Sequence, residues 1–67
     1  MKNRIREFRV KNGNITQEDL AIKVKVSRQT IVYIEKGKFN PSVKLALKLA
    51  KVLNCKVEDL FELEEGD

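Results

Sequence analysis

Histidine and tryptophan are missing from this sequence; cysteine, proline and tyrosine occur once each, and glycine three times. Without histidine, neither a Cys/His zinc site nor a Ser-His-Asp triad can be assembled. A lone cysteine, Cys55, forms no intrachain disulfide and suits a reducing, cytoplasmic setting. It falls at an apolar position and reads as core rather than as a reactive thiol. No carboxylate pair set for acid–base work is visible either, so no enzymatic activity, metal or cofactor is expected. No apolar run approaches the ~20 residues needed to cross a bilayer. Met1–Val10 alternates basic and apolar residues, so neither a membrane span nor a signal peptide is expected.

What remains is a short, helix-prone, charged chain. Its 67 residues make one domain, 1–67, with a modest core. With 42% hydrophobic and 36% charged residues it is too apolar for a disordered tail. Leu, Lys, Glu, Ala and Arg dominate while chain breakers are scarce, which predicts an all-α fold. The charge is unevenly spread. Residues 1–38 carry ten Lys or Arg against four Asp or Glu, a net +6, whereas residues 39–67 carry a net −2. Such a basic front suits a polyanion, although solvated surface lysine alone gives the same count.

Apolar spacing predicts five helices. Lys2–Asn12 places Ile5 and Phe8 on one face and ends where Gly13 can adopt a left-handed cap. Thr16 caps a second helix to about Val24, with Asp19 three residues on and Leu20, Ala21 and Val24 inward. Lys25-Val26-Ser27 is too short to be an independent loop, and Ser27 caps a third helix running to about Lys36 with Ile31 and Ile34 inward. Ser42 caps a fourth through Leu53, burying Leu45, Ala46, Leu49, Ala50 and Leu53, with Asn54 as its left-handed stop. A fifth is expected over Val57–Leu63, before Glu64–Asp67 fray.

A turn that short forces the second and third helices to cross steeply, in a helix-turn-helix spanning about 17–36. The second member of such a pair can enter a groove about 12 Å wide. Ser27, Arg28, Gln29 and Thr30 stand outward at its start. Arginine forks onto guanine O6 and N7, and glutamine onto adenine N6 and N7. Tyr33, one turn beyond Gln29, either touches a thymine methyl or a sugar, or is a plain surface aromatic. Thr16 and Gln17 lie at a helix N-terminus, where free N–H groups favour phosphate, though a simple cap also accounts for Thr16. Lys36 and Lys38 flank Gly37 and are candidate phosphate clamps.

Thr16-Gln17-Glu18-Asp19-Leu20-Ala21, Val26-Ser27-Arg28-Gln29-Thr30-Ile31 and Ile34-Glu35-Lys36-Gly37 together resemble the Cro and phage-repressor (XRE-type) helix-turn-helix family. The likeness extends through Asn40-Pro41-Ser42, Leu45-Ala46-Leu47 and Val57-Glu58-Asp59-Leu60-Phe61, covering about residues 3–63. It implies a compact five-helix bundle of the lambda-repressor-like type. It further implies binding to operator DNA as a two-fold homodimer and regulation, by repression, of transcription. By the same resemblance Arg28, Gln29 and Tyr33 face base edges, Gln17 a phosphate, Ser27 and Thr30 the backbone, and Lys36 and Lys38 phosphates. Arg9 pairs structurally with Glu35. Three departures bear on stability: Lys25 where the family has glycine, one extra residue near Asn14, and Lys56 in place of a serine cap. For the dimer, Val57, Leu60, Phe61 and Leu63 form the candidate surface, with the alternative that Leu60 completes the core. An antitoxin-like protein-interaction module on the same fold is the competing functional class.

Overall fold

The computed structural model describes residues 1–67. Five helices carry the fold: α1 (Ile5–Lys11), α2 (Gln17–Val24), α3 (Arg28–Glu35), α4 (Val43–Val52) and α5 (Val57–Leu60). They close on a core of Ile5, Leu20, Ala21, Val24, Ile31, Ile34, Leu45, Leu49, Leu53 and Leu60, to which every helix contributes. The inward stripes expected of α2, α3 and α4 are those observed.

The caps follow the local chemistry. The Thr16, Ser27 and Ser42 hydroxyls accept the Asp19, Thr30 and Leu45 N–H groups at 3.0, 3.2 and 3.1 Å. Each satisfies a donor that the first turn leaves without a helical partner. The helices then end by one device. After α2 the Val26 N–H reaches the Ala21 carbonyl, after α3 Lys38 reaches Tyr33, and after α4 Cys55 reaches Ala50. Each closure needs a left-handed residue, supplied by Lys25 (φ 61°), Gly37 (φ 74°) and Asn54 (φ 55°). Lys25 is the costly choice, since a side chain there crowds its own backbone by about 1 kcal/mol. Lys25→Gly is therefore expected to raise the melting temperature by roughly 4–8 °C, as read by thermal denaturation. No change would mean the site is already relaxed.

The two ends differ from expectation. Lys2–Asn3 is not helical but forms a strand, β1, paired antiparallel with β2 (Phe61–Glu62), Lys2 opposite Glu62 and Asn3 opposite Phe61. The first helix starts at Ile5 and the last stops at Leu60, because pairing between residues some sixty apart outweighs one more helical turn at either end. Asn3 fastens the arrangement. Its carboxamide accepts the Ile5 N–H at 3.3 Å and donates to the Ile34 carbonyl at 2.9 Å, at the end of α3. Glu64–Asp67, expected to fray, is held by the Asp67 carboxylate, which accepts the Glu64 N–H and lies 3.2 Å from the Met1 ammonium.

Lys56 lacks a side-chain acceptor to cap α5. The Asp59 carboxylate supplies the reverse half of the cap by accepting the Lys56 N–H at 3.1 Å. Of the expected dimer surface, Leu60 is fully buried and belongs to the core, which removes it from any interface. Val57 and Phe61 are half-buried, Phe61 against the core, and only Leu63 is free, at 76% exposed.

Candidate nucleic-acid interface

The turn between α2 and α3 does two jobs in three residues, Lys25 to Ser27: it ends one helix and caps the next. Val26, between them, packs against the core and fixes the entry angle of α3. With Ile31 and Ile34 turned inward, the 100° step of the helix leaves Arg28, Gln29, Tyr33 and Lys36 on the opposite side. All four are exposed and Val32 is half-buried at their edge. Ser27 and Thr30 share a hydroxyl–hydroxyl hydrogen bond of 3.0 Å at the tip of the helix.

Behind this face lies a chain of hydrogen bonds. Arg9 from α1 meets Glu35 from α3 in a two-pronged pair, Nε–Oε2 at 2.9 Å and Nη2–Oε1 at 3.0 Å. Both side chains are nearly buried, 13% and 11% exposed. Arg9 Nη1 donates also to the Ile15 carbonyl at 3.0 Å, tying in the segment before α2. Gln17 Nε2 then donates to Glu35 Oε1 at 3.3 Å, and Gln17 Oε1 accepts from Arg28 Nη2 at 3.4 Å. The buried pair thus extends through Gln17 to an outward-facing arginine. A guanidinium held by a fixed acceptor loses less freedom when it binds than a loose one.

Two grooves border the network. A cleft of about 640 Å³ is lined by Arg6, Arg9, Thr16, Gln17, Arg28 and Glu35 among others, at the N-terminus of α2. A second, about 760 Å³, has Arg6, Val10, Gln17, Val32 and Lys36 in its walls. Arg6 lines both. Periodicity does not distinguish it from Arg4, since only the packing of α1 beside α2 gives it a place. The structure brings Thr16, Gln17, Arg28 and Lys36 to these walls, while Lys38 stands apart, exposed in the loop after Gly37. Cys55 lies away from both grooves, half-buried against the core, where desolvation, and then Asp59, pushes its thiol up and disfavours the reactive thiolate.

Short turn, projecting helix and capped N-terminus are matched in sequence by a helix-turn-helix family model over residues 5–60. The chain belongs to the Cro/phage-repressor-type helix-turn-helix family. Among its relatives, an HTH-type transcriptional regulator of Archaeoglobus fulgidus is 58% identical, covering 100% of this chain and 94% of that one. Another, from Methanocaldococcus jannaschii, is 54% identical and covers 100% of both chains. In structure the chain is similar to the restriction-modification controller protein C.AhdI from Aeromonas hydrophila, with a TM-score of 0.75 and 35% identity over 85% of each chain. This helix-turn-helix protein is a DNA-binding transcriptional regulator. No helix in it is long and apolar enough to cross a membrane.

Proposed function

We propose that the protein is a sequence-specific repressor, acting as one domain over residues 1–67, that lays α3 in the major groove of operator DNA. Arg28, Gln29 and Tyr33 read base edges. Thr16, Gln17, Ser27, Thr30, Lys36 and Lys38 grip the backbone, joined by Arg6 through its place in both grooves. The main support is the outward face of α3, whose polar side chains are left out of the core while Arg28 is held by Gln17. Two copies related by a two-fold axis would read half-sites about 10 bp apart. Occupancy of such a site blocks polymerase access. On this reading the protein works in the cytoplasm, alongside the DNA.

The test is a fluorescence titration of labelled random-sequence duplex at two salt concentrations, followed by selection of the tightest sequences. Each neutralised phosphate releases counterions, so log K is expected to fall with log salt with a slope of about −0.9 per phosphate contacted. Selected duplexes should bind at least about 10³-fold more tightly than random ones. Absence of binding even at low salt would sink the proposal and favour the protein-interaction class.

A further inference from the structure

One face of α4 is covered by nothing in the chain. Val43 is 78% exposed, and Leu47, one turn further, 57%. Ala46 and Ala50, at 9% and 5%, border them along one stripe of the helix, while Leu45 and Leu49 point into the core. Phe39, 48% exposed, stands in the loop leading into this helix. Single exposed apolar residues are ordinary surface features. Here they recur at helical spacing beside alanines short enough to let a second helix approach closely.

The neighbouring charges say what kind of partner fits. Lys44, Lys48 and Lys51 follow the edge of the stripe, and none has an acidic partner within the chain, whose ion pairs are Met1 with Glu64 and Asp67, Arg4 with Glu62, and Arg9 with Glu35. Glu58, on α5 just beyond the end of α4, is unpaired as well. The same chain therefore offers an apolar stripe, free cations beside it, and a free carboxylate one short turn past it.

We propose that two copies of the chain pair through this stripe, α4 against α4 in an antiparallel crossing about a two-fold axis. This rests on the two-fold operator reading above and supplies its missing surface. In an isologous contact each residue meets the same set in reverse, so Val43 and Lys44 face the C-terminal turn of the other α4. The α5 that follows brings Glu58 of the partner subunit toward Lys44. Only residues 36–42 separate α3 from α4, so fixing the α4 pair also fixes the spacing of the two recognition helices. The contact is small. A standard interface takes about 800 Å² from each partner, roughly a sixth of this chain's 4780 Å² surface, and α4 alone is only about 15 Å long. The pairing is accordingly weak and concentration-dependent, and is consolidated on DNA.

Sedimentation equilibrium on the intact chain tests this, with thermal melts as a folding control. Val43→Glu places an acid at the first position of α4, where the helix dipole favours it, so the fold is retained. Val43→Glu and Leu47→Glu are each expected to weaken self-association by at least about tenfold at unchanged melting temperature. Leu63→Asp should leave it intact. Lys44→Glu should weaken it, and adding Glu58→Lys to that variant should restore it. Loss of the dimer in Leu63→Asp alone would overturn the proposal in favour of the carboxyl-terminal segment. So would a wild-type monomer at every concentration that also binds a palindromic duplex as one copy. Binding to a single half-site keeps the two readings apart. Val43→Glu should bind it like wild type; loss of half-site binding with an intact dimer would assign α4 to DNA instead. A dimer broken by Val43→Glu in a protein that binds no duplex would uphold the pairing and refute the operator reading.

Discussion

Glu35→Ala is expected to destabilise the fold by about 3 kcal/mol, near the lower end for breaking a buried ion pair because both partners keep slight solvent access. In a domain of this size that corresponds to a fall of roughly 12–24 °C in melting temperature. The loss arises from what is left behind. Arg9 would retain a single partner, the Ile15 carbonyl, for a guanidinium that is 13% exposed. Gln17 would lose the acceptor of its Nε2, and with it the anchor that steadies Arg28. Affinity for selected DNA should therefore fall further than the unfolded fraction explains, at temperatures where the variant is still folded. Removing both charges together, as Arg9→Met with Glu35→Leu, should recover much of the stability, since no buried charge is then unpaired. The recovered protein should still bind DNA less tightly, because Gln17 remains unanchored. A melting temperature within a few degrees of wild type for Glu35→Ala would mean the pair contributes no more than an exposed one.

Much of this architecture is legible from local chemistry. The stripes Leu20, Ala21, Val24 and Leu45, Leu49, Leu53 repeat at helical spacing, and Thr16, Ser27 and Ser42 mark where helices start, because those hydroxyls serve donors only three residues away. Lys25 is readable as a strained stop for the same reason: the turn that demands it lies within two residues of it. Partners distant in the chain are not legible. Nothing near Asn3 indicates that it will hold the end of α3, and nothing near Phe61 that its backbone will leave the helix for β1. Leu60 and Leu63 look alike as letters but diverge completely, one sealed in the core and the other bare, because a helix-to-strand change falls between them. The network of Arg9, Glu35, Gln17 and Arg28 is intermediate. The first pair is reached through the family resemblance, whereas the extension through Gln17 to Arg28 emerges only from the coordinates.

The second large effect concerns how recognition divides along α3. Gln29→Ala should cost about 1–3 kcal/mol on the preferred operator and little on random duplex, so that the preference at one adenine relaxes. The glutamine is on the outward face, free of core packing, and its loss removes no cation. The salt slope should therefore stay unchanged. Lys38→Ala is the counterpart. Its ammonium lies beyond Gly37, away from the base-reading face, so affinity should drop about equally for every sequence and the slope should shrink by about one phosphate. Arg28→Lys separates the two kinds of contact within a single side chain. Charge is retained and the slope should hold, but a point charge cannot reproduce the fork onto guanine or the Gln17 contact, so discrimination should fall as it does in Gln29→Ala. Titrating wild type and these variants against the selected and a scrambled duplex at two salt concentrations measures all the quantities at once. If Gln29→Ala and Lys38→Ala reduced affinity equally on both duplexes, α3 would be gripping phosphate along its whole length, and specificity would have to come from the shape of the DNA instead.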